Sequence, residues 1–234
     1  MQLTPSRKSV LRSTWMQALR AVDEAVPGDF VETGTHTGNQ TLALIAVAQS
    51  TCGPGSNMRH VYGFDSFQGL PKPSAKDVAH KSKAHKVAQG RMSVMAHTPY
   101  CQGNPRCAMM AVAKRMSSML HQALGVDAPQ VRDRQWSFHQ GFFNETLHHC
   151  PATKIAVLRL DGDMYSSTMD ALVAFYPRVS SGGYVIFDDY GTWPGCRAAA
   201  RDYLEGTVGL NGIGTMLQPV PGDEERSVYW FRKP

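Results

Sequence analysis

Two groups of acids stand out as residues that could do chemistry. Asp161-Gly162-Asp163 follows the run Ile155 to Leu160, and Asp188-Asp189 follows Tyr184 to Phe187. Both runs are short and largely apolar, so they read as strands of a parallel α/β sheet. Such sheets bind ligands just outside the carboxyl ends of their strands. A single Asp after a strand is explained well enough as a cap for the next helix. Two strands that both end in acids, one of them in an adjacent pair, point instead to a hard-oxygen site. Asp161, Asp188 and Asp189 together suit Mg²⁺, which prefers octahedral oxygen ligands and keeps positions open for substrate.

A second candidate site precedes them. Glu32-Thr33-Gly34-Thr35-His36-Thr37-Gly38 links the strand begun by Phe30-Val31 to a helix over Thr41 to Gln49. Gly34 and Gly38 allow a tight turn and the close approach of a bound molecule. The spacing lacks the full G-x-G-x-x-G of dinucleotide sites, so the loop alone is a weak signal. Asp65, at the end of the strand Arg59 to Phe64, is placed to accept hydrogen bonds from ribose hydroxyls. Loop and acid together read as a nucleoside site.

Regular elements must hold these groups. Leu11, Trp15, Leu19, Val22 and Val26 recur at helical spacing, and Pro27-Gly28 ends that helix. Met109 to Leu124 restores helical spacing, and its methionines read as core packing. Gln135 to His139 is a third strand, ahead of the two acid-ended ones, with a helix from Ser166 to Tyr176 between those two. Gly182-Gly183 reads as the turn into the fifth strand, and a helix runs from Trp193-Pro194-Gly195 through Tyr203. Thr215 to Val220 and Ser227 to Arg232, joined by Pro221-Gly222-Asp223, form an antiparallel pair. Between Pro71 and Pro105 the periodicity is lost to Pro, Gly, Lys and His, and a loop of that length is expected to act as a lid over the acceptor. The whole, residues 1–234, reads as one domain with a lid-like insertion at 71–105.

Composition excludes several classes. The 234 residues are 42% hydrophobic and 18% charged, the balance of a globular chain. The longest apolar stretch is too short to cross a bilayer, and no basic-then-apolar leader opens the chain, so a cytoplasmic location without membrane attachment is expected. Five scattered cysteines without a CxxC argue against a disulfide framework or a structural zinc. A net charge of +5 permits nucleic-acid binding. The basic run from Lys72 to Arg91 nevertheless carries few aromatics on which bases could stack. Nucleic acid is therefore not the expected partner, and a homo-oligomer is compatible with the sequence.

Four segments carry a family resemblance: Gly28-Asp29-Phe30-Val31-Glu32-Thr33-Gly34, Tyr62-Gly63-Phe64-Asp65-Ser66-Phe67-Gln68-Gly69-Leu70-Pro71, Leu160-Asp161-Gly162-Asp163-Met164-Tyr165-Ser166-Ser167-Thr168 and Gly183-Tyr184-Val185-Ile186-Phe187-Asp188-Asp189-Tyr190-Gly191. In that order they resemble the macrocin O-methyltransferase family, which methylates hydroxyls of natural products, macrolide sugars among them. The resemblance implies a class I methyltransferase (Rossmann-like) fold, a mostly parallel seven-stranded sheet with helices on both faces. It implies S-adenosylmethionine and Mg²⁺ as cofactors and a small-molecule hydroxyl as acceptor. Glu32, Thr33, Gly34 and Gly38 would surround the methionine part of the cofactor. Asp65 and Ser66 would meet the ribose, and Gln140-Gly141-Phe142 would border the adenine. Asp161, Asp188 and Asp189 match the metal positions.

Methyl transfer needs an oxygen nucleophile in line with the sulfonium methyl, and a protonated alcohol is a poor one. Catechol-type relatives have a lysine three residues after the first metal aspartate, where this chain has Met164. Asp161 is the first candidate for the proton acceptor and His139 the second. Two other readings compete. One is a nucleic-acid methyltransferase that uses the basic insertion; the other is a non-catalytic protein that binds S-adenosylmethionine on the same fold.

Overall fold

A computed structural model describes residues 5–50, 58–77, 104–124 and 135–234. The helix α1 (Pro5–Asp23) leads into β1 (Asp29–Thr33), α2 (Asn39–Ser50) and β2 (Val61–Asp65). Next come α3 (Pro105–Leu124), β3 (Trp136–Gln140), the short α4 (Phe143–Thr146) and β4 (Ile155–Leu160). The chain closes with α5 (Tyr165–Phe175), β5 (Val179–Phe187), α6 (Pro194–Arg201), α7 (Ile213–Met216), β6 (Gln218–Pro219) and β7 (Tyr229–Arg232). The seven strands lie in the order β3-β2-β1-β4-β5-β7-β6. The first five run parallel and β7 returns antiparallel to β5 and β6.

Side chains alternate between two cores because successive residues of a strand face opposite ways. Phe30, Val61, Val157 and Ile186 meet α1, α2 and α3 on one face. Val31, Phe64, Leu158 and Val185 meet α5 and α6 on the other. A sheet covered on both faces needs strands that are apolar throughout, and β4 is buried at all six positions. Arg159 is the charged residue in that strand, and it is as buried as the apolar residues around it.

Three local features depart from or extend the sequence reading. β5 starts at Val179, and Gly182-Gly183 lies inside it as an irregularity, not ahead of it as a turn. Ile155 pairs with Val179 but Val157 with Tyr184, so the strand carries extra residues on one side. Cys107, near the start of α3, is disulfide-bonded, which its spacing does not announce, while Cys150 and Cys196 are buried free thiols. Most of the expected lid, residues 78–103, lies outside the described residues. Among the described residues no helix is long and apolar enough to cross a membrane.

The C-terminal turn falls where Pro221-Gly222-Asp223 places it. Asp223 Oδ2 accepts hydrogen bonds from the backbone N–H groups of Ser227 and Val228, each at 2.8 Å. Ser227 Oγ in turn donates to the Asp188 carbonyl at 2.6 Å, so the turn braces the end of β5. Asp223→Ala would leave two buried N–H groups without their acceptor, a loss of about 1–3 kcal/mol. For a chain of this size each kcal/mol lowers the melting temperature by about 2–4 °C. A thermal melt within a degree of wild type would show that the turn does not depend on this carboxylate.

Candidate active site

The parallel register brings three strand ends together. Thr33 of β1 lies beside Leu160 of β4, and Leu160 beside Phe187 of β5. Asp161 N–H donates to the Thr33 carbonyl at 2.8 Å, and Asp188 N–H donates to the Leu160 carbonyl at 2.9 Å. The chain therefore leaves the sheet with its acids already aligned. Asp161, Asp188 and Asp189 each offer an oxygen, and these oxygens lie within 4.8 Å of one another. Asp161 and Asp188 side chains remain 26% and 24% exposed, which leaves the cluster open on one side. Three hard carboxylates with an open side fit a divalent ion such as Mg²⁺. Asp163 takes a left-handed backbone conformation (φ 59°) that aims its N–H at Asp189 Oδ2, 3.2 Å away.

Beneath the cluster lies a residue that the sequence reading did not single out. Arg159 is 1% exposed. Its Nη1 donates to Glu32 Oε1 at 2.9 Å and to Asp161 Oδ2 at 2.7 Å, and its Nη2 donates to Asp188 Oδ1. Burial disfavours its charge, but Asp188, Asp161 and Glu32 outweigh burial and hold the guanidinium proton above its ordinary range. Several of the carboxyls are nevertheless raised, two of Arg159's own partners among them. Burial pushes Glu32 up to about 7 against the pull of Arg159 and the Thr41 hydroxyl. Burial also raises Asp188 to about 7, and it raises Asp189 well above the usual range with help from Asp163, Asp161 and Asp188. The available signal was an arginine inside an otherwise apolar strand, two residues before an acid.

The glycine loop packs directly on this centre. Gly34 (φ 93°) passes so close to Asp161 that a Cβ there would overlap the Asp161 carbonyl oxygen. Glycine is thus required where the glycine loop and the acid loop cross, a tighter constraint than room for a ligand. Gly38 lies under Met116 of α3, and Arg115 of the same helix donates to the Thr37 carbonyl and to Asn39 Oδ1, each at 2.9 Å. The buried Thr33 and Thr35 hydroxyls have no partner among the described residues, which suits a polar ligand over the loop. Glu32 does not face such a ligand, because its carboxylate is committed to Arg159 and Thr41.

Asp65 receives the N–H of His36 at 2.7 Å and of Phe67 at 2.6 Å. Burial raises its pKa against those two donors. Ser66 closes its own turn, donating to the Gly69 carbonyl and accepting from Gln68 N–H. Gln140 pairs with Asp65 across β2 and β3, and Gly141 N–H reaches the Asp65 carbonyl at 3.0 Å, so these candidates sit together; Phe142 follows at the start of α4. His139 is placed elsewhere. It stacks on Phe64 at 4.5 Å, and three strand spacings, roughly 14 Å, separate β3 from β4. The structure does not bring it to the acid cluster.

The start of the insertion docks beside the acids. Asp77, buried, accepts from Tyr165 N–H at the first turn of α5 (2.7 Å) and from the Ser74 N–H and hydroxyl (2.8 and 2.6 Å). Lys76 reaches the Tyr165 hydroxyl and Asp202 at the surface.

Comparison with known proteins identifies the family and the fold. The pattern of the family described as Macrocin-O-methyltransferase (TylF) matches residues 9–98 and 103–231. The chain is 34% identical over 207 residues to 8-demethyl-8-(2,3-dimethoxy-alpha-L-rhamnosyl)-tetracenomycin-C 4'-O-methyltransferase of Streptomyces olivaceus, covering 88% of this chain and 67% of that protein. It is 34% identical to demethyldecarbamoylnovobiocin O-methyltransferase of Streptomyces niveus over 76% of this chain and 58% of the relative. Mycinamicin III 3''-O-methyltransferase of Micromonospora griseorubida is 32% identical over 91% of this chain and 71% of its own length. Among solved structures, the O-methyltransferase NovP superposes with a TM-score of 0.67 at 26% identity, over 96% of this chain and 79% of that one. The calicheamicin methyltransferase CalS11 shares the fold, with a TM-score of 0.68 at 23% identity over 95% and 77% of the two chains.

Two outcomes are expected of this site. Gly34→Val should lower the melting temperature as well as S-adenosylmethionine affinity, because the overlap is with protein backbone; loss of affinity at an unchanged melting temperature would contradict the crossing of the two loops. The second concerns pH. Burial pushes Asp188 up to about 7 in the folded protein from an ordinary value of 3.8. The folded state then holds more protons than the unfolded one between those values, so in the metal-free protein this group's contribution to stability falls as pH rises from about 4 to 7. Mg²⁺ must displace those protons, and its stabilisation should grow with pH over the upper part of that window. Thermal melts with and without Mg²⁺ from pH 5.5 to 8 test this, and a gain that does not change with pH would refute it.

Proposed function

The chain belongs to the macrocin O-methyltransferase family and is an O-methyltransferase that uses S-adenosylmethionine; from that premise we propose that Mg²⁺ assists the transfer and that the acceptor is a hydroxyl of a sugar on a small natural product. The convergence of Asp161, Asp188 and Asp189 at the edge shared with the glycine loop carries the metal part of this reading. The acceptor part is supported by relatives whose names specify rhamnosyl 4' and mycinamicin 3'' positions.

S-adenosylmethionine supplies an activated methyl group, and Mg²⁺ supplies a Lewis acid that makes a hydroxyl more acidic and orients it. The protein's share is positioning and charge. Asp161, Asp188 and Asp189 would hold the ion. Thr33, Gly34 and Gly38 would line the methionine part, Asp65 the ribose, and Gln140, Gly141 and Phe142 the adenine end. Both sites open at the same sheet edge, which supports an acceptor hydroxyl held between them. Asp161 is favoured as proton acceptor because it is part of the cluster and partly exposed. Met164, three residues on, is fully buried and has no basic group, and His139 lies three strands away.

The decisive assay offers the purified protein S-adenosylmethionine with a rhamnosylated polyketide, a nucleotide-linked deoxysugar and a simple catechol. Methylation of a sugar hydroxyl, abolished by EDTA and restored by Mg²⁺, is the expected result. Asp188→Asn should reduce turnover by more than roughly 100-fold, beyond the ~10–100-fold typical of an outer-shell partner. Cofactor binding should survive that substitution. Full turnover after dialysis against EDTA would remove the metal from the mechanism, and preference for the catechol would remove the sugar.

A further inference from the structure

We propose that Arg159 is a positioning residue for the cation site: it fixes the orientation of Asp161 and Asp188 by holding one oxygen of each, although it lies beneath the cluster. The proposal rests on the divalent-ion reading of the three aspartates. Arg159 bonds Glu32 on β1, Asp161 just after β4 and Asp188 just after β5, so one rigid group spans three strand ends. Each aspartate keeps a second oxygen that the guanidinium does not hold. An aspartate side chain rotates freely unless something holds it, and a metal site needs its donors fixed before the ion arrives.

Charge balance alone does not explain an arginine here. A guanidinium presents five N–H donors in a planar fork, whereas a lysine ammonium is a compact point charge on a flexible stem. Arg159 has three carboxylates on two of its nitrogens, and its Nε has no partner among the described residues. A lysine in its place keeps the charge but cannot span the same three acceptors. Thr41 supports the arrangement from the other side by donating to Glu32 Oε2, which keeps the Glu32 carboxylate in line with the fork.

Two variants test this. Arg159→Lys keeps the charge. The double variant Arg159→Met with Glu32→Gln removes the pair while conserving their net charge, an exchange that buried ion pairs often tolerate. Mn²⁺ binding is measured by the loss of the free-ion electron paramagnetic resonance signal, S-adenosylhomocysteine binding by calorimetry, and folding by thermal melting. The expected result is a folded variant whose Mn²⁺ affinity falls by about 10-fold or more. Its S-adenosylhomocysteine affinity should stay near wild type, and excess Mn²⁺ should restore its turnover. Wild-type Mn²⁺ affinity in either folded variant overturns the proposal, as does failure of both variants to fold, which would make Arg159 a stability residue. A wild-type protein that binds no Mn²⁺ instead overturns the metal reading on which the proposal rests.

Discussion

Taking a guanidinium and its carboxylate partners out of water costs several kcal/mol per ion before any attraction is counted. This chain does so at the centre of its sheet. Arg159 is 1% exposed, and so is Glu32. The arrangement holds because the acids outnumber the base and because the fork reaches three of them at once. The consequence extends beyond charge. β1, β4 and β5 are joined by backbone hydrogen bonds, and Arg159 joins them again through side chains at their carboxyl ends. An apolar residue at 159 would match the rest of β4 but leave buried Glu32 without its counter-charge. It would also leave the acids above it without a counter-ion or a fixed orientation.

The same crowding accounts for the glycine loop. The turn after β1 and the turn after β4 run so close that Gly34 has no room for a Cβ against the Asp161 carbonyl. The glycine loop and the acid loop are therefore one packed unit. α3 presses on that unit from above through Met116 and Arg115. Displacement of either loop would be felt by the other, which suits a reaction that must align a methyl donor with an oxygen nucleophile.

Much of the architecture was legible because it depends on patterns that local sequence carries. The strands over Val61, Trp136 and Ile155 are marked by apolar runs, and the acids at 161, 188 and 189 by their position after such runs. The Pro221-Gly222-Asp223 turn is marked by its residue types. What escaped depends on contacts between distant segments. Gly182-Gly183 has the composition of a turn, yet neighbouring β4 draws it into β5 as an irregularity. His139 lies near the end of its strand, where a catalytic base could sit, but strand order decides that it lies three strands from the acids. Glu32 lies in β1, just ahead of the glycine loop, and its side chain turns to Arg159, 127 residues away in sequence. The fold was written in periodicity and the acid cluster in position, while the support beneath that cluster required the third dimension.

The division of labour within the site follows from these constraints. On the proposed reading, the groups fixed by the sheet, the three aspartates, Asp65 and the glycine loop, would serve the parts of the reaction that do not vary with acceptor. Outside the sheet, Asp77 anchors the segment that begins the insertion to the first turn of α5. Asp77 uses one oxygen for the Tyr165 N–H and the other for Ser74, so the start of the insertion is tied to the helix that follows the acid loop. A sheet edge tolerates little change, because each strand is packed on both faces and paired on its flanks. Loops above it can change length and composition at small cost to the core. Acceptor choice could therefore diverge through such loops while the centre proposed for methyl transfer stays as the sheet fixes it.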